Sequence, residues 1–172
     1  MATEPNIAQH LDFARALTHG VVGGLIAGIT FAIAEMILAA LTDTGPLAPL
    51  QMIGAILLGP AVLPQAGPTA GIIVSAFIVH FVLSAIYGVI LAAVAPLLPF
   101  IQPSAAQMTV LGMLFGLLVW AGNYYLIAPA AFPWFTHTQP LVQMTAHILF
   151  FGAVLGYFLG TRLSRYGEPA QP

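Results

Sequence analysis

Apolar residues form four stretches in this chain, at about 20–41, 72–97, 108–128 and 143–162. Each is long enough to cross a bilayer, for which a helix needs roughly 20 mostly apolar residues. A fifth run, 47–58, is too short to span; Pro46 and Pro49 open it and Gly59-Pro60 closes it. That pattern predicts a half-helix lying at the interface or dipping into the membrane. Residues 1–19 read differently. Glu4 and Asp12 make them too polar for the apolar core of a signal peptide. Ile7, Leu11, Ala14 and Leu17 recur at helical spacing, and Asn6-x-x-Gln9 resembles a capping box. An amphipathic surface helix that continues into the first span is expected, and the polar Tyr166–Pro172 reads as a tail.

Inside the spans, glycines recur every four residues: Gly20, Gly24 and Gly28 in the first, Gly112 and Gly116 in the third, Gly152, Gly156 and Gly160 in the fourth. Such small-residue stripes let membrane helices approach backbone to backbone. Two stripes run on into a polar residue. Gly24-xxx-Gly28-x6-Glu35 is followed by His80 early in the second span, and Gly112-xxx-Gly116-x6-Asn123 by His147 early in the fourth. The parallel suggests two similar hairpins inserted in the same direction, with a site between the halves. His80, Ser84 and Tyr87 share a stripe of the second span. In the fourth, regular helical periodicity turns Gly152 about 140° away from His147, giving one face with Gln143 and His147 and another with glycines.

The composition fits a membrane protein: 60% of residues are hydrophobic and 5% charged, against about a quarter charged in ordinary globular chains. Three basic residues (Arg15, Arg162, Arg165) and a net charge of −2 leave no basic patch for nucleic acid. With no cysteine, disulfides, thiolate catalysis and iron–sulfur clusters are excluded. All three arginines flank the ends of the spanning region, so the positive-inside rule places both termini in the cytoplasm. Glu35, His80, Asn123 and His147 then fall at similar depth in the outer half of the bilayer.

Polar side chains at such depth are costly and need partners or a role. Glu35 reads as a cation-binding or proton-carrying group, or as an acid bonded to a neighbour. His80 and His147 suit axial ligation of a b-type haem, or copper or zinc together with Glu35 or His137; the plainer alternative is two hydrogen-bonded histidines that lock the halves together. Trp134, Tyr124 and Tyr125 read as interfacial anchors, and His137 as a solvent-facing loop residue. No catalytic triad, carboxylate pair, HExxH motif or phosphate-binding loop occurs.

Val79-His80-x3-Ser84-x2-Tyr87-Gly88, Pro129-x2-Phe132-Pro133-Trp134 and Gln143-x2-Ala146-His147 resemble segments of YagU-type bacterial inner-membrane proteins, and Gly24-Leu25-Ile26-Ala27-Gly28 fits that family's first helix. The chain departs from the family at Gln143, where an acid is usual. The resemblance implies a bacterial inner-membrane location and supplies no mechanism.

These readings converge on one membrane domain, 1–172: an all-α four-helix bundle of two hairpins with a half-helix between its first two spans. The expected protein is a non-catalytic subunit or homo-oligomer, within the bilayer or a larger membrane complex. It carries a buried cluster of Glu35, His80, Ser84, Tyr87, Asn123, Gln143 and His147. The rival expectations are a haem or metal electron-transfer subunit and a proton, cation or solute transporter.

Overall fold

The computed structural model describes residues 7–42, 45–64, 66–98 and 104–163, the side chains of 7–13 and 163 excepted. Among these the secondary structure is entirely helical. Four helices are, by length and composition, long and apolar enough to cross a membrane. The 166–172 tail and the polar face expected at the N-terminus lie outside the described residues.

Helix α1, Ile7–Leu41, is one unbroken rod that carries the N-terminal segment directly into the first span. Helix α2, Ala48–Leu58, is the expected short helix; its proline opens the first turn and Gly59, at φ 85°, closes it. Helix α3, Ala70–Val94, starts at Thr69, whose hydroxyl accepts the Ile72 N–H, a standard N-cap. Ser104 does the same for Gln107 N–H at the start of α4, Ala105–Ala131. Helix α5, Pro140–Arg162, completes the set.

Two of these rods are not regular. Asn123–Ile127 in α4 and His147–Ala153 in α5 are π-helical, so each takes up an extra residue in its turn. Both begin at a polar residue singled out by the sequence.

The long helices meet through glycine. A methyl group on Gly24 would strike the Ser84 carbonyl, and one on Gly88 the Gly20 carbonyl, so α1 and α3 run antiparallel with their backbones in contact. Gly112 lies against the Gly152 carbonyl and Gly156, and Gly156 against the Met108 carbonyl. Gly160 closes the same seam against Ala105 and Met108. Helix α1 also packs on α5, where Thr30 Oγ1 donates to the Phe150 carbonyl at 2.6 Å. Beside these seams Ala27, Leu91, Ala92, Ala95, Met108, Phe151, Leu155 and Leu159 form a closed apolar core. It occupies the terminal half of the molecule, where α3 and α5 end and α4 begins. Large apolar side chains such as Ile33, Leu118 and Leu126 point outward, as lipid-facing positions do.

The π segment of α5 brings the His147 main chain to the seam as well: a methyl on Gly116 would meet both the His147 carbonyl and the Gly152 Cα. The side chains keep the two expected faces, Gln143 and His147 meeting Glu35 and Phe31 of α1 and Gly152, Gly156 and Gly160 meeting α4.

Candidate functional site

The loop half is built differently. In place of a packed core it holds one cavity of about 640 Å³, a size within the range of small-molecule sites. Glu35, His80, Ser84, Tyr87, Asn123, Gln143 and His147 all line it. Helix α2 and the segment around Trp134 wall its loop end. There Trp134 Nε1 donates to the Met52 carbonyl at 3.1 Å and fastens the two together. Gln51 Nε2 holds the chain after α2 by donating to the Val62 and Leu63 carbonyls at 2.7 and 3.0 Å.

Three successive turns of α1 meet the polar groups in order. At the lowest, the Gly28 carbonyl lies 2.9 Å from His80 Nε2. One turn up, Phe31 stacks on His80 with ring centres 5.9 Å apart and meets His147 edge-on at 4.7 Å. One turn higher, Glu35 Oε2 accepts from Gln143 Nε2 at 2.7 Å. Gly28 and Glu35 are about 10 Å apart along the axis, so the cluster is a column and not a level ring. This corrects the similar depth expected for the four residues.

The hydrogen bonds assign the ring nitrogens. A carbonyl oxygen only accepts, so His80 carries its hydrogen on Nε2. His147 carries one on Nδ1, which lies 2.8 Å from the Gln143 carbonyl. In the neutral rings this leaves His80 Nδ1 and His147 Nε2 bare. Ser84 turns back and donates to the His80 carbonyl of its own helix at 2.7 Å. Tyr87 OH reaches across to Asn123 Oδ1 at 3.1 Å, linking α3 to α4.

Among the described residues two buried polar atoms have no hydrogen-bond partner, Glu35 Oε1 and Trp120 Nε1. Glu35 is only 7% exposed. Buried polar groups are nearly always bonded, so these two atoms are exceptions on the cavity wall.

Haem fits poorly here. Phe31 packs against both imidazoles, and the His80 nitrogen farther from the backbone is engaged with Gly28. Among the described residues no three His, Cys, Asp or Glu side chains gather as a metal site.

The cavity takes in further residues that the sequence did not assign to it. Trp134 and Tyr124 read from sequence as interfacial anchors. Both line the cavity, and Tyr124 OH donates to the Thr136 and Thr138 carbonyls at 3.1 and 3.2 Å. Exposed His137 stands at the cavity's edge. Phe31, central to the geometry, carried no signal in an apolar run.

No protein-family model, curated protein or solved structure matches this chain.

Proposed function

We propose that this is a non-catalytic, multi-pass protein of a bacterial inner membrane, YagU-like, whose work is to hold a small ligand in the loop-half cavity. In this reading the four spans form one bundle of two related hairpins, the glycine seams weld each hairpin, and both termini lie in the cytoplasm, so the cavity opens toward the outer face. The carrying observation is that seven polar side chains scattered over four helices line a single cavity with aromatic walls. Such a mix of apolar wall and few convergent polar groups is the usual form of a small-molecule site. The outward apolar faces suit lipid, a second copy or a larger membrane complex. A through-channel is disfavoured by the closed core at the terminal half.

Both tryptophans of the chain, Trp120 and Trp134, line the cavity, and this provides the assay. A brominated aromatic probe titrated into protein in maltoside micelles should quench their fluorescence saturably, and filling the cavity with Ala128→Phe should abolish the saturation. Linear quenching, equal to that of a tryptophan ester in the same micelles, would overturn the proposal.

A further inference from the structure

Resting on the cavity reading, we infer that the ligand is a monovalent organic cation with an apolar body. Among the described residues Glu35 is the one acidic side chain on the cavity wall, and no arginine lines it. The described arginine side chains, Arg15 and Arg162, belong to the terminal ends of α1 and α5, where Arg162 covers the Phe158 ring at 5.3 Å. The imidazole N–H groups assigned above are directed at the Gly28 and Gln143 carbonyls, leaving Gln143 as the carboxyl's hydrogen-bond donor. Glu35 Oε1 therefore stays unpartnered although the residue is more than nine-tenths buried. An ionised carboxylate inside a bilayer needs a counter-charge, and an entering cation brings one.

The wall chemistry agrees. Phe31, Tyr87, Trp120, Tyr124, Phe132 and Trp134 contribute to it. Aromatic faces carry a negative quadrupole that attracts ammonium-type cations, the principle of aromatic cages. An anion would meet the same faces and the carboxyl unfavourably. A neutral apolar molecule would fill the space but leave Glu35 without its partner. A divalent cation would want several carboxylates around it, and among the described residues Glu35 is the one carboxylate on the wall.

The test uses an isosteric pair, tetraphenylphosphonium and tetraphenylborate, which share shape and differ in the sign of charge. Equilibrium dialysis of the full-length protein in maltoside micelles against empty micelles should give saturable binding of the phosphonium. The borate should bind at least about tenfold more weakly. Glu35→Gln should weaken phosphonium binding by a similar factor, while Glu35→Asp, which keeps the charge, should retain more of it. Circular dichroism confirms that each variant is folded. Equal binding of phosphonium and borate, or undiminished binding by Glu35→Gln, overturns the cation assignment. Saturable quenching by the brominated probe without phosphonium binding overturns it too, and leaves the cavity reading standing. Binding of neither removes both.

Discussion

The backbone-to-backbone seams make the most direct quantitative prediction. In Gly24→Ala the new methyl would collide with the Ser84 carbonyl oxygen, with the Ser84 carbonyl carbon at 3.0 Å and Ala85 Cα at 3.2 Å. All three are main-chain atoms of a long helix, so the clash is relieved only by moving α1 and α3 apart. Overpacking of this kind costs about 1–3 kcal/mol. Alanine's helix propensity returns roughly 1 kcal/mol of that, leaving a net loss of about 0–2 kcal/mol, and of about 1–3 kcal/mol relative to an unhindered Gly→Ala change. Gly122→Ala is the matched control, since nothing lies within 4 Å of its added methyl, and it should be neutral or slightly stabilising. Unfolding titrations in mixed maltoside–dodecyl sulfate micelles, followed by helical circular dichroism, give both values. Pairing sharpens the test. Gly24 and Gly112 lie in separate seams, so their costs should add within about 0.5 kcal/mol. A methyl on Gly88 would come within 2.8 Å of Gly24 Cα, so Gly24→Ala with Gly88→Ala should cost less than the sum. If Gly24→Ala is no more destabilising than Gly122→Ala, the helices do not meet as described and the reasoning fails.

Other contacts give smaller, separable effects. Tyr87→Phe removes the bond to Asn123 and should cost about 0.6 kcal/mol, the average for interhelical bonds in membranes; a double-mutant cycle with Asn123→Leu should return a coupling of that order, and zero coupling would refute the contact. Trp134→Phe releases the Met52 carbonyl and should speed amide exchange in α2 about fivefold, corresponding to roughly 1 kcal/mol, with α4 unchanged; uniform acceleration would show that Trp134 does not fasten α2 specifically. Deleting Leu149, outward-facing within the π segment, lets that turn revert to α with the flanking register kept, so folding should survive. Deleting Leu155, buried in the regular part of α5, shifts the register and should abolish folding; equal behaviour of the two deletions, read by size-exclusion profile and circular dichroism, would count against the extra residue's role.

The spans and the short helix were legible because length, hydropathy and the Pro/Gly boundaries at 46–49 and 59–60 are local properties. The glycine positions were legible too, since a four-residue stripe survives in any regular helix. The π segments were not legible, because a π turn looks no different in sequence from its neighbours. The similar depth expected for Glu35 and His80 came from counting residues along separate spans, which cannot see that His80 meets α1 at Gly28. Trp134 and Tyr124 read as interfacial anchors from their place in the chain, but their partners, Met52 and the Thr136 and Thr138 carbonyls, were not legible because tertiary packing sets them. Phe31 was invisible for a related reason: one phenylalanine in an apolar run carries no mark of touching two histidines.

The opposition between glycine seam and cavity has a mechanical side. Main chain resting on main chain leaves no side-chain layer to compress, so the terminal half behaves as a clamp. The loop half is joined across its open space by single side-chain links, Trp134 to Met52, Gln143 to Glu35 and Tyr87 to Asn123. Compliance is therefore distributed along the molecule, stiff at the base and yielding at the tip, in the manner of forceps. On the proposed function, the tips are where a guest would be admitted, and the closed base is what would keep them in register.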